Sequence, residues 1–273
     1  MFEIVDQINR KVILNEYPPK RIVSLVPSQT ELLHDLGLND EVFGITKFCV
    51  HPQSWFKNKT RVGGTKNVNI DIIISLKPDL ILANKEENVK EQIEALEKIA
   101  PVYVSDVNNL DDALDMIENV GALTGKTQNS KLITENIHSQ FKKLQATTAK
   151  LKTAYLIWRA PYMTIGGDTF ISDMLSRCGL QNIYADEKRY PQITLEHIKA
   201  KETKLILLSS EPFPFKEKHI AEIKAVLPNI KILIVDGEMF SWHGSRMLYA
   251  AQYFSELINK INEPALKINN NIA

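Results

Sequence analysis

Residues 127–152, TQNSKLITENIHSQFKKLQATTAKLK, contain no glycine, no proline and no strand signal. Leu132, Ile133, Ile137, Phe141, Leu144 and Leu151 fall near helical spacing, which predicts one helix over the whole stretch. At 1.5 Å per residue, ~25 residues of helix reach ~37 Å. That is long for a helix inside one domain and suits a strut between two lobes. The predicted organisation is an N-terminal α/β lobe over 1–126, a backbone helix over 127–152 and a C-terminal α/β lobe over 153–273.

On the N-terminal side of the strut, short apolar runs alternate with helical patterns. Arg21–Val26 reads as a buried strand, and Ser28 with Glu31 reads as a capping box for a helix closed by Gly37. Strands follow at Val42–Ile45, Asp79–Ala83 and Val102–Val104, with helices over Ile70–Leu76, Asn88–Ile99 and Asp111–Leu123. Past the strut the alternation resumes. Strands are expected at Ala154–Trp158, Leu205–Leu208 and Ile232–Val235, and helices at Thr169–Cys178, Leu195–Ala200, Lys216–Val226 and Ser245–Ile261. This rhythm implies parallel sheets covered by helices.

The two sides resemble each other. Residues 69–86 (NIDIIISLKPDLILANKE) align without gaps on 194–211 (TLEHIKAKETKLILLSSE), with identities at Ile73/Ile198, Leu80/Leu205, Ile81/Ile206, Leu82/Leu207 and Glu86/Glu211. The order of elements repeats as well, which favours sister lobes over two unrelated αβ units. The fold class is therefore α/β, with two similar lobes, each holding a mostly parallel sheet.

Composition narrows the function. Thirty-three basic and thirty-three acidic residues cancel, which argues against nucleic-acid binding by global charge. Two cysteines, Cys49 and Cys178, exclude a disulfide-dense scaffold and a four-cysteine zinc site; one disulfide remains arithmetically open. No run of about 18 apolar residues predicts a membrane span. The N-terminus has no signal-peptide pattern, so either the protein stays inside the cell or an export signal is removed. The C-terminal 267–273 reads as a polar, frayed end. GALTGKT at 121–127 falls one residue short of a phosphate loop and follows a helix, so Gly125 reads as a helix cap.

Ligands of parallel sheets sit beyond the carboxyl ends of the strands. The loops there hold Phe48, Lys66, Trp158, Arg159, Arg189, Tyr190, Glu211, Trp242 and Arg246. Aromatic faces with guanidinium groups suit a bulky ligand that has a flat apolar part and anionic groups. Cys49 and His51 offer metal-ligating atoms but stand alone. Asp71 and Glu196 occupy equivalent first turns of the repeated helices. They read either as local complements to the helix dipole or as one docking charge per lobe.

RIVSLVPSQTELLHDLGL, GITKFCVHP, GGTKNVNIDIIISLKPDLILA and the closing Asp236…Arg246 with its helix resemble the iron-siderophore and vitamin B12 substrate-binding proteins of ABC importers, over roughly residues 10 to 262. The resemblance implies two lobes on one rigid helix, no catalysis, and a cobalt- or iron-containing chelate held between the lobes. It implies a monomer, working outside the inner membrane, whose Asp71 and Glu196 pair with arginines of the permease. Corrin binding in that family resembles stacking on tryptophans. Here only Phe48 stands in the matching N-terminal segments, and Tyr190 replaces a tryptophan. The three cleft arginines with Lys47, Lys66 and Lys85 suit an anionic ferric chelate or haem equally well. The expected contacts are Trp158, Arg159, Tyr190, Trp242 and Arg246, with Phe48, Lys66 and Glu211 beside them. No protein-made metal site and no intrinsic cofactor are expected. One rival reading is a chelatase using His243 or His51 as base; another is an intracellular carrier or sensor. A single continuous helix also predicts little lobe motion.

Overall fold

The computed structural model describes residues 1–144 and 150–263. A hairpin of β1 (Phe2–Val5) and β2 (Lys11–Leu14) opens the chain. The N-terminal half continues through β3 (Ile22–Ser24), α1 (Pro27–Asp35), β4 (Val42–Ile45), α2 (Gln53–Asn58), β5 (Thr60–Arg61), β6 (Gly63–Gly64) and β7 (Asn67–Val68). It closes with α3 (Ile70–Leu76), β8 (Leu80–Asn84), α4 (Lys90–Leu96), β9 (Val102–Ser105) and α5 (Leu110–Leu123). Next comes α6 (Thr127–Lys143). The C-terminal half holds β10 (Leu151–Leu156), β11 (Tyr162–Met163), α7 (Phe170–Arg177), β12 (Leu180–Asn182), β13 (Gln192–Ile193) and α8 (Leu195–Ala200). It ends with β14 (Leu205–Ser209), α9 (Glu217–Val226), β15 (Lys231–Val235), α10 (Gly237–Ser241) and α11 (Met247–Asn262).

Two separate parallel sheets form, in the orders β5-β4-β3-β8-β9 and β12-β10-β14-β15. Side chains alternate across each sheet with the two-residue period of a strand. Leu80 and Leu82 of β8 face the same interior core as Leu205 and Leu207 of β14. Ile81 faces a core on the outer side of the first sheet, and Ile206 its counterpart on the second. The repeated segment thus takes the same orientation in both halves. The interior core is continuous: Ile22, Leu82, Ile117, Ile137, Phe141, Tyr155, Phe240 and Phe254 belong to one apolar cluster that runs through both halves.

The strut is shorter than its sequence suggests. α6 ends at Lys143 and Leu144 leaves the helical region, so the helix spans ~25 Å. Residues 145–149 lie outside the described residues, as do 267–273. Leu151 and Lys152, expected in the helix, pair with Leu180 and Gln181 as the start of β10. The buried face keeps most of the expected residues, since Ile137 and Phe141 are buried and Ile133 and Leu144 pack against the core, but not Leu132. Leu132 is 60% exposed, whereas Ser130, Thr134, Ile137 and Phe141 are buried. Small residues set that face: a Cβ on Gly121 of α5 would sit 2.0 Å from Ser130 Oγ, so α5 and α6 touch backbone to side chain there. Thr134 Oγ1 donates to Glu118 across the same seam at 3.1 Å.

The helix after β3 is not capped by Ser28. Pro27 takes its first position, where a missing N–H costs nothing, and no side chain caps the end. Glu31, freed from a capping box, reaches the other half of the molecule.

Candidate functional site

Between the two halves lies a cavity of about 730 Å³, formed by the loops that follow the parallel strands. This is within the roughly 300–1,000 Å³ range of pockets that hold small molecules. The N-terminal half contributes Pro27 and Ser28 after β3, Phe48 and Val50 after β4, Thr65 and Lys66 in the β6–β7 turn, and Glu86 and Glu87 after β8. The C-terminal half contributes Ile157 and Trp158 after β10, Glu211 and Pro212 after β14, and Ser241, Trp242 and His243 at the end of α10. Met163, Ile171, Tyr190 and Glu238 complete the wall.

Six of the eight expected contacts meet here: Phe48, Lys66, Trp158, Tyr190, Glu211 and Trp242. Trp158 packs edge-on against Phe213 at 5.7 Å, and Lys47 lies 5.1 Å over the Phe48 ring. Arg159 and Arg246 are not in the wall. Arg159 is turned to α9, where Nη2 pairs with Glu222 at 2.8 Å. Arg246 lies behind Trp242, its guanidinium 4.9 Å from the ring centre. Its fork takes both oxygens of Glu31 at 2.9 and 2.7 Å, and Nη1 reaches Glu238 at 2.9 Å. Arg246 and Glu31 are only 12% and 13% exposed, so this is a largely buried bidentate bridge from α11 to α1. His51 Nε2 meets Glu238 at 3.2 Å, extending the bridge.

A second bridge crosses the cavity on the side of Tyr190. Arg189 Nη2 pairs with Glu86 at 2.7 Å, and the Tyr190 hydroxyl donates to the same carboxylate. Arg189 is more open, at 47% exposure. Burial, followed by the neighbouring Glu86 charge, raises the Tyr190 phenol above its ordinary range, so it stays a donor.

The expected cationic character is therefore corrected. All three arginines are occupied by carboxylates, and Lys85 is paired with Asp106 at 2.5 Å. Lys66 alone among these cations lines the cavity, where its Nζ donates to the Glu86 carbonyl. Four glutamates line it: 86, 87, 211 and 238. Burial pushes the Glu87 and Glu211 carboxyls up, each above its ordinary value. Glu211 Oε1 accepts from Ser241 Oγ at 2.8 Å and Trp242 Nε1 at 3.1 Å. His243 is buried, its imidazole pushed down to about 4 by desolvation, so it is neutral near pH 7. Its Nδ1 has no partner among the described residues.

Cys49 and His51 do not converge. Cys49 is buried against the Thr30 and Thr46 hydroxyls, both at 3.1 Å, while His51 faces Glu238. Both cysteines are free thiols, and no group of three or more His, Cys, Asp or Glu able to hold a metal occurs among the described residues. Asp71 and Glu196 stand outside the cavity, exposed in the first turns of α3 and α8. Asn69 and Thr194 cap those helices, accepting from Ile72 N at 3.0 Å and His197 N at 3.2 Å. Backbone N–H and the Thr194 hydroxyl hold the Glu196 carboxyl below its ordinary value.

Sequence reasoning missed Glu87, Glu238 and the apolar floor of Ile157, Met163 and Ile171. Glu86 was within reach, because the repeat sets it opposite Glu211. Glu238 was not, since the short helix α10 that presents it carries no periodic signal in five residues.

Comparison with known proteins gives a consistent picture. The family model described as periplasmic binding protein matches residues 22–228. A vitamin B12-binding protein of Yersinia pestis is 25% identical over 253 residues, covering 90% of this chain and 88% of that protein. The periplasmic vitamin B12-binding protein of Vibrio cholerae superposes with a TM-score of 0.73 at 23% identity, over 90% of this chain and 99% of that one. A possible iron-binding periplasmic solute-binding protein of Staphylococcus epidermidis gives 0.75 at 24% identity, over 90% and 100%. A periplasmic heme-binding protein from Roseiflexus gives 0.74 at 18%, over 88% and 97%.

Proposed function

Since this chain belongs to the periplasmic binding protein family, whose members bind solutes for transporters and are not enzymes, we propose that it captures a cobalt- or iron-containing chelate between its lobes and presents it to the permease of an ABC importer. The observation that carries the reading is the cavity of about 730 Å³ walled by both halves, with Trp158, Tyr190, Trp242 and Phe48 around it. Flat aromatic faces on opposite walls suit a macrocycle or a compact chelate. The relatives point the same way, having been named for vitamin B12, heme and iron.

In this reading residues 1–126 form one lobe and the chain from Leu151, where β10 begins, forms the other; the protein works as a monomer on the outer side of the inner membrane, and Asp71 and Glu196 are its docking charges. Both acids are exposed at equivalent positions, one per lobe, clear of the cavity. No helix among the described residues is long and apolar enough to cross a membrane. His51, a candidate base of the chelatase reading, is engaged by Glu238.

Three measurements test the reading. Protein from its native source should carry the absorption of a bound chelate. Cyanocobalamin, haemin or a ferric trihydroxamate should quench the fluorescence of Trp158 and Trp242 with saturation. An unchanged spectrum with all three would overturn the cargo assignment. Asp71→Arg with Glu196→Arg should abolish association with the permease in detergent while leaving chelate binding intact; unaltered association would remove the docking roles.

A further inference from the structure

The charge of the cavity carries an inference about the cargo, resting on the chelate-binding reading above. At the cleft, five carboxylates (Glu31, Glu86, Glu87, Glu211 and Glu238) face four fixed cations, Lys47, Lys66, Arg189 and Arg246. His243 adds no charge near neutral pH. Three of the acids are spent on ion pairs: Glu31 on Arg246 and Glu86 on Arg189 between the halves, and Glu238 on Arg246 within the C-terminal half. Two remain. Glu87 makes no side-chain hydrogen bond or ion pair among the described residues, with Lys66 as its nearest compensating charge. Glu211 uses one oxygen for Ser241 and Trp242 and leaves Oε2 without a partner among the described residues. The carboxylates near it, Glu238 and Asp236, repel further negative charge. His243, 8% exposed, also lines the cavity with its Nδ1 unpartnered.

His243 Nδ1 is fully buried without a partner among the described residues, whereas the free carboxylate oxygens of Glu87 and Glu211 stay in reach of water in the cavity, and a ligand donor that takes the water's place restores their hydrogen bonding. Acceptors predominate here, on both walls, so the missing partners are donors. An anionic cargo would add like charge to a site with no arginine free to receive it. We propose that the cleft selects a neutral or cationic chelate bearing N–H or O–H donors, received by Glu87 from one lobe and Glu211 from the other.

Two probe series vary charge on a fixed core. The first is the ferric chelate of a linear trihydroxamate with its terminal amine free (cationic), acetylated (neutral) or succinylated (anionic). The second is cyanocobalamin and its derivative with one side-chain amide hydrolysed to a carboxylate. Binding is read by tryptophan quenching at low ionic strength. Within whichever core binds, affinity should fall by about tenfold for each negative charge added, as expected for one partly buried charge pair. Glu87→Gln with Glu211→Gln keeps shape while removing both charges, and should compress the spread to within about threefold. Glu94→Gln with Glu135→Gln, which removes two exposed charges elsewhere, should leave the spread as it was. Each single variant should compress the spread in part, which keeps the test alive if the double variant folds poorly. An anionic member bound as tightly as its neutral or cationic sister overturns the proposal, as does a spread unchanged in the double variant; the chelate reading survives both. If no member of either series binds, the chelate reading falls and takes this assignment with it.

Discussion

Glu86 and Glu211 hold the same place in the two lobes, each just past the strand of the repeated segment, β8 or β14. Their surroundings differ. Glu86 is clasped by Arg189 and Tyr190 from the opposite half. Glu211 takes only hydrogen bonds from its own half, through Ser241 and Trp242. The repeat thus fixes where a carboxylate stands, and the facing lobe decides whether it is consumed in holding the halves together or left for a ligand. A similar contrast separates the two bridges themselves. The Glu31–Arg246 fork is largely buried, whereas Arg189 is close to half exposed.

The largest expected effect tests that second contrast. Arg246→Ala strands Glu31 and Glu238 without their cation in a largely buried setting, and should cost about 3–5 kcal/mol in chemical denaturation. Next in size is the titration of His243, which follows α10 and packs edge-on against Phe170 in the C-terminal lobe. Its pKa, pushed down to about 4 from 6.5, means that the unfolded chain takes up the proton first as pH falls. Its contribution to stability is complete above pH 6.5 and is lost on the way down to about pH 4, by about 3 kcal/mol. The difference between wild type and His243→Phe, followed by denaturation at a series of pH values, should show that slope.

Smaller effects sharpen the equivalence of the halves. Asn69→Ala and Thr194→Ala each remove one helix cap and should cost about 1 kcal/mol apiece, in both lobes alike. A marked inequality would mean that the repeat is shallower than its backbone. Arg189→Ala should cost less than about 1 kcal/mol, because solvent screens an exposed pair. Finally, small-angle scattering should show little compaction when a chelate binds, since a common core and two bridges already hold the lobes; a large change would contradict a stiff molecule.

Local signals were the legible part of the sequence. Asn69 and Thr194 cap the helices that their positions announce, and α8 spans the residues its pattern predicts. The aromatic members of the site were legible for the same reason, since loops after parallel strands converge wherever the strands do. What sequence spacing could not convey was pairing at long range. Glu31 looked like part of a capping box three residues from Ser28, yet its partner is Arg246, 215 positions away. The arginines promised a cationic cleft because the acids that neutralise them come from other elements of the chain. On α6 the one misjudged position is Leu132, because close approach at Gly121 rewards a small Ser130 over a large Leu132, and hydropathy alone favours the reverse.

The apolar seam threading α5, α6, α7, α10 and α11 belongs to neither sheet alone. Severing the halves would strip it bare on both sides, so each fragment would present a wide greasy scar to water. Heating the intact chain should therefore yield a single calorimetric peak: the twin sheets melt as one body.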